Sequence, residues 1–82
     1  MIHVTIRFYS YFKELAGCEH TEETLPDGSF ARDLLAKLGR RFPRLAPMEK
    51  SALFAVGVEY QPREYQLKEG DQVALFPPVQ GG

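Results

Sequence analysis

Apolar and polar positions alternate from the start of the chain. In MIHVTIRFY, Ile2, Val4, Ile6 and Phe8 fall on one face, and His3, Thr5, Arg7 and Tyr9 on the other. Period two with β-branched side chains predicts a half-buried strand, with Phe8 in the core and Tyr9 at the surface. YFKELAG then reads as one short helical turn closed by Gly17, a residue suited to the left-handed position that follows a helix. In EHTEETLPDG, Thr21, Thr24 and Leu25 allow a second strand, and Pro26-Asp27-Gly28 signals a turn. Two strands joined by so short a link are expected to be antiparallel neighbours.

The period then changes. SFARDLLAKLGRRFP carries Phe30, Leu34, Leu38 and Phe42 four residues apart, with Ala31 and Leu35 beside them. That is one apolar stripe for a sheet to cover. Ser29 is the expected N-cap, Gly39 weakens the last turn, and Pro43 ends the helix. RLAPMEKS reads as loop, ALFAVGV as a third strand, and EYQPREYQL as irregular chain with a short edge strand that suits Pro62. KEGD is a turn, and QVALF is the final strand, stopped by Pro77.

The order is therefore β, β, α, β, a short β, then β. It predicts an α+β roll with one main helix covering one face of a mixed sheet. This order resembles the β-grasp, or ubiquitin-like, fold, in which the last strand runs parallel beside the first in mid-sheet. QVALF is uncharged and MIHVTIRF nearly so, as central strands are. A ferredoxin-like arrangement would need a second long helix, which residues 43–66 do not supply. The expected organisation is a β-grasp domain over residues 1–76 and an extended Gly-Gly tail over 77–82.

Composition narrows the functional classes. The 82 residues are 44% apolar and 26% charged, enough for one modest core without metal or disulfide support. A net charge of −1 argues against nucleic acid as the main partner. Arg40, Arg41 and Arg44 read as a solvated helix end that complements the helix dipole. The single cysteine, Cys18, precludes an internal disulfide and fits a reducing cytoplasm. No apolar stretch approaches the roughly 20 residues of a membrane span. The N-terminal alternation is unlike a signal peptide, so a cytoplasmic protein with no membrane partner is expected.

Few residues outside the tail invite chemistry. Cys18 has no second cysteine near it, and His3 and His20 lack metal-ligand spacing, so no metal site is expected. Ser10, Ser29 and Ser51 sit in no nucleophile motif, and no Gly-rich loop offers to cradle a phosphate. Glu59, Glu64, Glu69 and Asp71 read as a solvated face. With no catalytic constellation, the chain is not expected to be an enzyme on its own.

The tail is different. From Gln72 to Gly82 no side chain is charged. Pro77 and Pro78 lack an N–H and favour stiff, extended geometry. Gly81 and Gly82 have no Cβ, so a partner can approach their backbone closely. Six residues reach about 20 Å when extended, which suits delivery of a terminal carboxylate into a narrow channel. Activated by ATP as an acyl-adenylate, such a carboxylate accepts sulfur. The resulting thiocarboxylate can hand that sulfur on.

EGDQVALFPPVQGG resembles the ending of the sulfur-carrier (small) subunit family of molybdopterin synthase. That family ends with a Gly-Asp turn, a Val-Ala-apolar-Phe strand and Pro-Pro-Val-x-Gly-Gly, all present here from Gly70 to Gly82. FYSYFKELAG is similar to the family's first-strand exit and LFAVGVEYQP to its third strand. Gly57 stands where members often carry Asn, Lys13 where Arg is common, and Tyr9 where an apolar residue is frequent.

The resemblance implies that Gly82, preceded by Gly81, is the thiocarboxylate site. It implies partner contacts at Phe76, Pro77, Pro78, Val79 and Tyr9, although core packing is an equal reading for Phe76. The implied partners are an E1-like adenylating enzyme and the large catalytic subunit, in a heterotetramer with the large subunits at its centre. No cofactor is expected to bind tightly, and ATP is expected to be used through the activating enzyme. The sulfur acceptor implied is cyclic pyranopterin monophosphate, in molybdenum cofactor biosynthesis. Two alternatives remain: a β-grasp carrier for thiazole, cysteine, tRNA thiolation or protein conjugation, and a β-grasp binding module.

Overall fold

The computed structural model describes residues 1–78. Strand β1 (Ile2–Phe8) leads through helix α1 (Phe12–Ala16) to β2 (His20–Leu25). Helix α2 (Ala31–Arg41) and a 3₁₀ helix (Pro43–Met48) follow, then β3 (Leu53–Val56), β4 (Glu59–Tyr60) and β5 (Gln72–Phe76). The five strands form one sheet in the order β2-β1-β5-β3-β4. β1 runs antiparallel to β2, with Ile2 opposite Leu25, and parallel to β5, with Phe8 opposite Leu75. β3 is antiparallel to both β4 and β5. The mixed sheet with its two apolar strands in the middle is the β-grasp arrangement expected.

The alternation of β1 is realised at every position, since Ile2, Val4, Ile6 and Phe8 are buried and the residues between them exposed. Leu34 and Leu38 of α2 meet them, and Phe12, Leu45, Phe54, Leu67, Val73 and Leu75 complete one core. Phe42 meets Phe8 edge-on at 5.7 Å. This core therefore lies on the helical side of the sheet, and the opposite side stays open.

Two short turns follow from single residues. Gly17 adopts φ +77° and its N–H donates to Lys13 O at 2.9 Å, closing α1 as expected. Gly57 has φ +64° in the two-residue turn Gly57-Val58 between β3 and β4. Glycine enters this left-handed region at no steric cost.

Three expectations are corrected. Ser29 is not the cap of α2: its hydroxyl donates to Pro26 O at 2.7 Å and closes the preceding turn. The N-cap is Phe30, whose N–H is taken by the Asp33 carboxylate at 2.7 Å. Residues 43–48 are not loop but the 3₁₀ helix, since Pro43 is suited to a first helical position. Gly39 does more than weaken α2. A Cβ there would stand 3.4 Å from Ala46 Cα, so the glycine lies where the 3₁₀ helix packs against α2.

The arginine cluster is also more engaged than a solvated helix end. Glu23, only 9% exposed, faces the core side of β2 between Arg41 Nη1 at 2.8 Å and Lys37 Nζ at 3.3 Å. The same two cations donate to the edge carbonyls of β2, Lys37 to Thr24 O at 2.6 Å and Arg41 to Glu22 O at 3.1 Å. Two side chains of α2 thus occupy carbonyls of the longer free edge of the sheet, the kind of protection that keeps edge strands from pairing with other chains. Arg44 reaches Glu14 O, and Arg63 reaches Glu49 O.

Candidate functional site: the tail exit and the open sheet face

The last strand carries the site. In β5, Val73 and Leu75 point into the core, which sends Gln72, Ala74 and Phe76 to the open face. Phe76 is therefore not a core residue. Its ring stacks on Tyr9, with centroids 4.6 Å apart and planes 14° from parallel. Tyr60 meets Phe76 from β4 at 6.0 Å and 57°. The Arg7 guanidinium lies 5.9 Å from the centre of the Tyr9 ring and is held by Glu19 at 3.3 Å. Together these groups make a row across the open face, Arg7, Tyr9, Phe76, Tyr60, at the point where the chain leaves the sheet.

Tyr9 and Tyr60 are 38% and 68% exposed, so the row is presented to solvent. Pro77 and Pro78 follow it, both partly buried. Val79, Gly81 and Gly82, the remaining expected site residues, lie outside the described residues. Tyr60 was not singled out in the sequence. Its signal is the two-residue Gly57-Val58 turn, which sets Ala55 opposite Tyr60 and so brings that ring to the same face as Phe76.

Beside the row, an open depression of about 470 Å³ is lined by Thr5, Arg7, Glu19, His20, Gln72 and Ala74. Its lining is as much apolar as polar, and its Arg7 is already paired with Glu19. Elsewhere the candidate groups have structural work. Asp71 accepts from Lys68 N at 2.8 Å and from Tyr65 Oη at 3.1 Å, and Glu69 accepts from His3 N at 2.9 Å. Two of the four acids near the tail therefore hold the turn into β5, while Glu59 and Glu64 remain exposed. Tyr65 has its phenol pKa pushed above the ordinary value, chiefly by burial and then by the hydrogen bond and charge of Asp71. Cys18 is half-buried against the core. Among the described residues no cluster of His, Cys, Asp and Glu is arranged to hold a metal ion. No described helix is long and apolar enough to cross a membrane.

A small β-grasp body, an open aromatic face and a chain that leaves it through two prolines define a carrier-type domain. The chain belongs to the ThiS family, matched over residues 6–82. It is 34% identical to the molybdopterin synthase sulfur carrier subunit of Chlamydomonas reinhardtii, over 99% of this chain and 100% of the relative. Among solved structures, it superposes with a TM-score of 0.87 on the putative molybdopterin converting factor, subunit 1, from Pyrococcus furiosus, at 29% identity over 96% of this chain and 100% of that one. It is also similar to a chain in the protein–protein complex of subunits 1 and 2 of the molybdopterin-converting factor from Helicobacter pylori 26695. There the TM-score is 0.71 and the identity 26%, over 99% of this chain and 100% of that one.

Proposed function

We propose that this protein is the sulfur carrier subunit of a molybdopterin synthase. The observation that carries the reading is the end-to-end likeness to proteins of that name, joined to the Pro-Pro-Val-x-Gly-Gly ending. An E1-like enzyme binds ATP and presents its α-phosphorus to the Gly82 carboxylate. Pyrophosphate leaves and an acyl-adenylate forms. Hydrosulfide then attacks the carbonyl carbon, AMP departs with the oxygen, and a proton is released. The Gly82 thiocarboxylate, with Gly81 behind it, enters the large catalytic subunit and donates sulfur to cyclic pyranopterin monophosphate. Acid–base groups belong to that subunit, which assembles with the carrier as a heterotetramer in the cytoplasm.

The chain's own contribution is presentation. Phe76, Tyr9 and the proline pair form the docking surface at the root of the tail, and Val79 is a further residue that would contact the partner. Aromatic side chains of this kind anchor interfaces because they bury much area at small entropic cost. No cofactor is held by the carrier itself, and ATP is consumed on the activating enzyme.

Intact mass spectrometry tests the reading. The chain is incubated with an activating enzyme, ATP and sulfide, beside a Gly82→Ala variant and a variant extended past Gly82. The wild type is expected to gain the mass of one oxygen-to-sulfur exchange at its C-terminal residue, and the extended chain none. An unchanged wild-type mass with several competent activating enzymes would sink the proposal. Large subunit and cyclic pyranopterin monophosphate, added next, are expected to return the carrier to its original mass.

A further inference from the structure

Phe76 is the last side chain of the sheet before two residues whose φ is fixed near −65° by their rings. The residue before a proline is itself held to extended conformations. Few torsions therefore separate the Phe76 ring from Pro78, and whatever holds that ring sets the direction in which the chain leaves the body.

The ring is held on both sides, flat against Tyr9 and tilted against Tyr60. Tyr9 is held in turn by its N–H donating to Leu75 O at 3.1 Å and by Arg7 beside its ring. Its outward pose depends on the next residue. Ser10 is the one described non-glycine residue at positive φ, +57°. This left-handed step lets Tyr9 stay on the open face while Phe12, two residues later, drops into the core at 1% exposure. A left-handed conformation in a residue other than Gly, Asn or Asp is uncommon and costs about 1–2 kcal/mol. Here the result is a ring placed flat on Phe76.

We propose that Ser10, Tyr9 and Phe76 form an aiming device for the tail, with Tyr9 as its positioning residue. Tyr9 acts through Phe76 and orients Pro77 and Pro78 before any partner arrives. Ordering the root of the tail in advance lowers the entropic cost of threading it into a partner. The role of this order in sulfur loading rests on the carrier reading above; the order itself does not.

The test has two arms on the full-length chain. In the first, the free protein is followed by NMR, reading the ring-current shifts of Phe76 and the carbon shifts and relaxation of Pro77 and Pro78. Tyr9→Ala is expected to move the proline signals toward disordered-chain values, and Tyr9→Phe to leave them in place. Ser10→Gly is expected to be silent. Ser10→Val keeps every aromatic ring but disfavours the left-handed step, so it is expected to act like Tyr9→Ala. The core amide shifts report that each variant is folded.

In the second arm, thiocarboxylate formation is measured against carrier concentration. Ser10→Val, which keeps every ring of the docking surface, is expected to raise KM about 3- to 10-fold, the scale of one ordering cost, with kcat little changed. Proline signals unmoved by Tyr9→Ala would overturn the proposal, as would lost order with an unchanged KM. If the wild type itself is never thiocarboxylated, the carrier reading falls, and the first arm still decides the aiming device.

Discussion

At the scale of single residues, Gly39 shows how a position read for one property serves another. Glycine inside a helix is less favourable than alanine by about 1 kcal/mol, and the helical stripe alone gives no reason for it. The 3₁₀ helix limits what else could stand here, since its Ala46 Cα and Cβ would lie 3.4 Å and 3.6 Å from an added Cβ. Those are ordinary contact distances, so one methyl fits and a larger group does not. Gly39→Ala is expected to raise stability by about 0.5–1 kcal/mol from helix propensity. Gly39→Leu is expected to lower it by about 1–3 kcal/mol through overpacking. Thermal unfolding reads both, at about 4–8 °C per kcal/mol for a domain of this size. A destabilised alanine variant would mean that the two helices pack more tightly than these distances imply. Glu23 is the complementary case. Alternation along HTEETL already sets Thr21, Glu23 and Leu25 on one face, but only the packed helix supplies the two cations that make an inward carboxylate tolerable.

At the scale of elements, legibility followed the strength of the period. β1, α2 and β5 were readable because each carries an uninterrupted stripe, and burying that stripe is what forms the element. Residues 43–48 were not, because they carry no such stripe, and residues 61–67 were not, because their backbone is organised by contacts to distant chain. Leu67 N donates to Ser29 O at 2.9 Å and Ala31 N to Tyr65 O at 2.8 Å, neither of which any local pattern announces. The second segment has a titratable reporter. The Tyr65 phenol donates to Asp71 at 3.1 Å, and its folded pKa is raised above the ordinary value of 10.0. The folded chain thus holds this proton more tightly than the unfolded chain. The contribution is fully present below about pH 10 and is lost as pH rises through the higher folded value. Urea midpoints between pH 8 and pH 11 are expected to fall more steeply for the wild type than for Tyr65→Phe. Parallel slopes would remove Tyr65 as the cause. Because Asp71 also receives Lys68 N–H at the turn into β5, the alkaline loss is expected to loosen that turn first.

At the scale of the whole molecule, body and tail divide the work. The buried core begins at Ile2 and closes at Leu75, and Phe76 already faces outward. The chemical feature, by contrast, was legible only as residue types: two prolines, two glycines and a lack of charge in the last eleven residues. The aromatic row at its root was half legible, since alternation put Tyr9 outside but left Phe76 undecided between core and surface. Sheet register decides it, and register depends on pairing β5 with β1 and β3, which are far from it in sequence. If the core is complete without the tail, deleting residues 79–82 should leave the unfolding free energy within about 0.5 kcal/mol, as surface changes do. The same truncation removes the acyl group and so should abolish mass gain entirely. It leaves Tyr9, Phe76, Pro77 and Pro78 in place, so the shortened chain should still dock and act as a competitive inhibitor of sulfur transfer by the wild type. Equal stability with inhibition would locate docking on the body and chemistry on the tail. Loss of more than about 1 kcal/mol on truncation would contradict a core that closes at Leu75, a cost well outside what surface residues carry. Equal stability without inhibition would assign docking, as well as chemistry, to the last four residues.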